Sequence, residues 1–99
     1  AEDASQRIKR LQTLRLEYRE QFAADRSRDK LARMVDYLIG SPITSIPQAQ
    51  ESLEMGSYTT IQRYIEKLAA LGIVHEVTGK SRNRIYRADQ ILKVLAERI

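Results

Sequence analysis

Two stretches of the chain hold side chains suited to contact with phosphates and base edges. The first comprises Ser57, Tyr58, Thr59, Thr60, Gln62, Arg63 and Lys67, the polar residues of a segment whose apolar residues recur at helical spacing. The first amides of a helix have no helical acceptor, so they can hold a phosphate together with the hydroxyls of Ser57 and Thr59. Thr60, Gln62 and Arg63 have the reach for base edges or phosphates; a glutamine amide matches adenine and a guanidinium matches guanine. Lys67 adds a cation one turn later, and Tyr58 can stack on a base or meet a sugar. The second stretch is Lys80-Ser81-Arg82-Asn83-Arg84, three cations in five residues, suited to backbone phosphates or a narrow minor groove. Both sets also have plainer uses. Short polar residues cap helices, exposed helix faces are polar, and charges on a hairpin turn keep a sheet edge soluble.

Other chemistries find little footing. His75 is the single histidine and there is no cysteine, so neither a Cys-based zinc site nor a disulfide framework is available. No nucleophile motif lies near His75, and a structural role is the expectation for it. Gly40, Gly56, Gly72 and Gly79 are spread along the chain rather than gathered into a phosphate-binding loop. Tyr64 and Tyr86 read as core residues with a wet hydroxyl. Catalysis within the chain is not expected, and no metal or cofactor is expected in it.

The charge has a location. The net charge is +4 over 99 residues, and residues 57–88 carry all of it: Arg63, Lys67, Lys80, Arg82, Arg84 and Arg87 against Glu66 and Glu76. A clustered cationic excess of this kind is the electrostatic footprint of a phosphate-binding face, although a solvated basic surface has the same composition. With 42% hydrophobic and 30% charged residues, the chain has the composition of one ordinary folded domain. No apolar run approaches the roughly 20 residues that span a bilayer, and no signal peptide is visible. The absence of cysteine suits a reducing cytosol, so the expected location is cytoplasmic with no membrane partner. The chain opens on Ala rather than Met and reads as an excised piece of a longer protein.

The elements that must position these residues follow from periodicity. Ala4, Ile8, Leu11, Tyr18 and Phe22, flanked by Leu14, make an apolar stripe on a helix over residues 3–24, with Asp3 or Ser5 capping its start. That stripe either packs on the rest of the domain or docks on another domain or chain. A break at 24–28 precedes a helix over 29–39 with Leu31, Met34, Val35, Leu38 and Ile39 on one face and Gly40 as its cap. Ile43-Thr44 forms a very short strand. Ser45-Ile46-Pro47-Gln48 is a capping box opening a helix to about Met55, with Ile46, Ala49, Leu53 and Met55 inward and Gly56 closing it. Ser57 caps the next helix, which buries Ile61, Ile65, Leu68 and Leu71 and ends at Gly72. The gap between these two helices has helix-turn-helix length. Residues 73–77 and 84–88 alternate as strands, with Ile73, His75 and Val77 on one face and Tyr86 opposite Ile85 and Arg87. Asp89 caps a last helix carrying Ile91, Leu92, Leu95 and Ile99. The expected class is mainly α: a winged helix-turn-helix, with a three-helix core, a β-hairpin wing, and extra N-terminal and C-terminal helices. Residues 1–27 read as an N-terminal linker helix and 28–99 as the winged domain.

From about Leu31 onward the chain resembles the C-terminal domain of bacterial Fic-family proteins. The residues that carry this are Leu38-Ile39-Gly40-Ser41-Pro42-Ile43-Thr44-Ser45-Ile46-Pro47, the helix from Tyr58 to Leu68, and above all Leu71-Gly72-Ile73-Val74-His75-Glu76-Val77-Thr78-Gly79-Lys80-Ser81-Arg82-Asn83-Arg84-Ile85-Tyr86. The resemblance implies a winged helix following a catalytic domain that transfers AMP from ATP to a target hydroxyl, with residues 1–27 as the tail of that region. The family motif, similar to His-Pro-Phe-x-x-Gly-Asn-Gly-Arg, is absent from this chain, so no catalytic residue carries over and ATP and Mg belong to the missing Fic domain. The expected partners are double-stranded DNA, an upstream Fic domain of the same protein, and a second copy through the Tyr18 and Phe22 face. A protein-interaction or dimerisation module that positions the Fic domain without binding DNA is the alternative.

Overall fold

The computed structural model describes the backbone of residues 2–79 and 84–96, and the side chains of 6–79 and 84–96. The described elements are α1 (Glu2–Gln21), α2 (Arg28–Gly40), β1 (Ile43–Ser45), α3 (Ile46–Leu53), α4 (Tyr58–Ala70), β2 (His75–Glu76), β3 (Ile85–Arg87) and α5 (Asp89–Leu95). The chain is mainly helical, with a small antiparallel sheet in the order β1-β3-β2. Arg87 pairs with Ile43 on one side and His75 on the other, and Tyr86 with Thr44 and Glu76. The alternating faces of a strand then place Thr44 and Tyr86 inward, both buried, and leave Ile43, Arg87 and His75 as one exposed row.

One core joins all the helices. Leu31, Met34, Val35 and Leu38 of α2 meet Ile46 and Ala49 of α3, Ile61, Ile65 and Leu68 of α4, and Ile91 of α5. Tyr18 and Phe22 belong to the same cluster, with Leu11 and Leu14 packed against it. The helix stripe therefore packs on its own domain. This corrects the expectation that Tyr18 and Phe22 form a face for a second copy, since both are consumed by the intramolecular core. Ile8, at 56% exposed, is left off it. Ala4 and Ile99 lie outside the described side chains. Asp3 and Ser5 fall inside α1 and do not precede it.

Local chemistry explains the boundaries. Gln48 N–H donates to Ser45 Oγ at 3.4 Å and Ser45 N–H to Gln48 Oε1 at 3.2 Å, the capping box that opens α3. Its other end is closed by Glu54 in the left-handed region, φ 49°, and not by Gly56. Gly56 matters instead for the turn into α4. At φ 153° its missing Cβ would lie 3.1 Å from the Thr60 methyl, so the turn runs tight against that helix. Ser57 Oγ then accepts from Thr60 N–H at 3.3 Å. Gly72, at φ 79°, reverses the chain after α4.

Several expectations are corrected at element ends. Gly40 is the last helical residue of α2 with no left-handed turn, and Ser41 closes the helix through hydrogen bonds to Tyr37 and Leu38 carbonyls. Leu71 lies beyond the last turn of α4 and is 40% exposed. The strand starts only at His75, so the buried pair is Ile73 and Val74, while His75 and Val77 face solvent. Asp89 is the first residue of α5 and makes no capping bond; its carboxylate turns back to Arg87.

Candidate functional site

α4 is the element that presents the first group of polar residues. Its buried Ile61, Ile65 and Leu68 fix the rotation of the helix, which turns Thr59, Arg63 and Glu66 to solvent. Tyr58 is 45% exposed at the helix start, next to the exposed Ser57 and Thr59. Thr60 and Gln62 are half-buried. The Ser57 hydroxyl is already engaged, since its oxygen caps Thr60 N–H and lies 3.2 Å from Thr60 Oγ1. Arg63 makes no side-chain hydrogen bond or ion pair among the described residues. Tyr64 packs on the core and Tyr86 is buried in it, as their spacing implies.

Lys67 stands apart from this group. Its ammonium lies 2.9 Å from Asp25 Oδ1, in the turn after α1. The same Asp25 oxygen accepts Ser27 N–H at 2.7 Å. That backbone bond, followed by the hydrogen bond from Lys67, holds the Asp25 carboxyl below the usual carboxylate range. Lys67 is thus a cation already matched by the fold, a pairing that local spacing gives no means of finding.

The neck of the hairpin is organised by one carboxylate. Glu76 Oε2 accepts from Thr78 N–H, from Thr78 Oγ1 at 2.5 Å and from Gly79 N–H at 2.7 Å. Ile85 N–H donates to Thr78 Oγ1 at 3.4 Å, and Val77 N–H to the Ile85 carbonyl at 2.9 Å. Glu76 is held below its usual range by the Thr78 side chain first and the Gly79 amide next, with Arg84 adding its charge. Arg84 is raised from its ordinary value, first by its hydrogen bond to the Tyr86 side chain, and further by Glu76 and Glu66. Arg87 Nε pairs with Asp89 Oδ1, and the His75 ring lies 3.9 Å from Asp89 Oδ2. Lys80, Arg82 and Asn83 lie outside the described residues.

The structure thus brings Tyr58, Thr59 and Arg63 together on one open surface. It ties Lys67, Arg84 and Arg87 to groups of the chain itself. Among the described residues no group of three or more His, Cys, Asp or Glu side chains could hold a metal ion, and no helix is long and apolar enough to cross a membrane. No family model matches the chain. No curated protein matches it either.

Proposed function

We propose that this chain is a winged-helix module that binds double-stranded DNA, the accessory piece of a Fic-family AMP-transferase whose catalytic motif is not in these residues. The observation that carries the reading is the open N-terminal face of α4, where Tyr58, Thr59 and Arg63, which has no side-chain partner among the described residues, are exposed near the start of the helix. A helix preceded by a short turn and followed by an antiparallel strand pair is the arrangement that places one helix in the major groove. In this reading α4 enters the groove and Lys80, Arg82 and Arg84 hold flanking phosphates. On the same reading ATP and Mg serve the missing Fic domain, and the working location is the cytoplasm.

Anisotropy of a labelled mixed-sequence duplex, titrated at several salt concentrations, tests this. Binding should weaken with salt, each neutralised phosphate contributing about −0.9 to the log–log slope. Arg63→Ala should lower the affinity and the slope. No binding at low salt sinks the reading. The pairing of Lys67, Arg84 and Arg87 within the chain favours a second reading, a protein-interaction module that positions the Fic domain, because it leaves fewer cations for phosphate.

A further inference from the structure

A groove of about 390 Å³ runs between the end of α1 and the outer face of α2. At its base lie the edge of Phe22, 4% exposed, and the half-buried Ala32, with the exposed Ala23 beside them. Arg19, Arg28 and Arg33 stand around it, all exposed. Arg19 and Arg28 have no side-chain partner among the described residues. Arg33 makes one long hydrogen bond, 3.5 Å, to the Leu53 carbonyl. Two carboxylates also border the groove, but Asp36 is already bound by Arg15, with Nε 2.6 Å from Oδ1 and Nη2 donating to Oδ2 at 3.0 Å. Only Asp29 remains to offset three guanidinium groups.

We propose that this groove docks an acidic amphipathic segment of a partner protein. An apolar floor with an arginine rim needs a ligand that supplies both features at once. A large aliphatic side chain fills the space over Phe22 and Ala32, and flanking carboxylates meet the guanidinium forks, which bind planar carboxylates through paired, charge-assisted hydrogen bonds. Duplex DNA offers anions but no large aliphatic side chain to fill the space over Phe22 and Ala32. The groove lies on the side of α2 opposite its buried Leu31, Met34 and Leu38. Docking here is independent of whether α4 binds DNA.

The test is a titration of the full ¹⁵N-labelled chain with an amphipathic peptide of Glu and Leu. Amide shifts should move at Arg19, Ala23, Ala32 and Arg33 and stay fixed over Thr59–Arg63. A peptide with Ser in place of each Leu should bind at least about tenfold more weakly, the loss expected when one apolar anchor is removed. The doubly reversed variant Arg19→Glu/Arg28→Glu, its helicity checked by circular dichroism, should lose binding by a similar or larger factor. Shifts centred on α4, equal binding of the Ser peptide, or no binding at all would each overturn the proposal. The two-peptide comparison uses the unaltered chain, so it decides the matter even if the charge-reversed variant does not fold.

Discussion

The Lys67 ammonium lies 2.9 Å from the Asp25 carboxylate, binding α4 to the turn that ends α1. Asp25 is fixed in turn by Ser27 N–H at 2.7 Å, so the anion is held by its own turn as well as by the lysine. The consequence is electrostatic. A phosphate approaching α4 at Lys67 competes with a carboxylate already in place, whereas one approaching Arg63 does not.

Asp25→Asn should therefore strengthen duplex binding if α4 is the DNA-contacting helix. Freed Lys67 adds one phosphate contact, which steepens the salt slope by about 0.9. Arg63→Ala should act in the opposite direction. Anisotropy titrations of both variants over a salt series check this. An unchanged slope for Asp25→Asn in a chain that does bind DNA places Lys67 outside the contact.

The neck of the hairpin should respond to acid through Glu76. Its folded value is depressed, so its contribution to stability is present above the unfolded-chain value of about 4.3 and is lost as pH falls through the lower folded value. Proton chemical shifts of the Thr78 and Gly79 amides, both donors to Glu76, should titrate together with a midpoint below that of a free glutamate. A midpoint at or above the free value would falsify the clamp. Glu76→Gln should remove the titration altogether.

Tyr37 and Thr44 form a second coupled pair, joining α2 to the edge of the sheet. Their hydroxyl oxygens are 2.6 Å apart, and Thr44 Oγ1 also donates to the Ser45 carbonyl at 3.2 Å, so Tyr37 is the donor between them. Thr44 is 2% exposed, so its hydroxyl is held inside the fold. Tyr37→Phe and Thr44→Val should each cost about 1 kcal/mol, and the double variant less than their sum, because the second change removes a group the first has already stranded. Urea unfolding of the three variants measures it; strict additivity would show that the two hydroxyls are not coupled.

Much of this arrangement is legible in the residue pattern, and the exceptions share a physical cause. The capping box at Ser45 and Gln48, the cap at Ser57, and the faces of α2 and α4 are local, written in residues three or four apart. Ile73 and Val74 escaped the strand alternation because the turn at Gly72 carries both into the core before β2 begins. Leu71 fits the helical period but falls past the last turn. At the candidate site, the spacing placed Tyr58, Thr59 and Arg63 on an open face. It could not show that Lys67 is matched by Asp25 or that Glu76 gathers three donors, since such bonds depend on chain segments meeting in space and on backbone direction.

Tyr18 supplies the sharpest test of the core. It is 5% exposed, and its hydroxyl has no hydrogen-bond partner among the described residues. A buried hydroxyl without a partner costs roughly 1–3 kcal/mol, while the ring itself contributes apolar burial. Tyr18→Phe should thus be neutral or stabilise the fold by up to about 1 kcal/mol, whereas Tyr18→Ala should cost about 3–5 kcal/mol, the range for emptying a buried aromatic site. Burial first, and Glu17 second, raise the phenol above its ordinary value. The folded chain then holds its proton more tightly than the unfolded one, so the stability that depends on the neutral phenol is intact below the unfolded value of about 10 and declines as pH rises beyond it. Tyr18→Phe should flatten that alkaline decline. Unfolding free energies of the two chains between neutral pH and the phenol range decide it, and a Phe variant that is clearly less stable at neutral pH would show that the hydroxyl is satisfied.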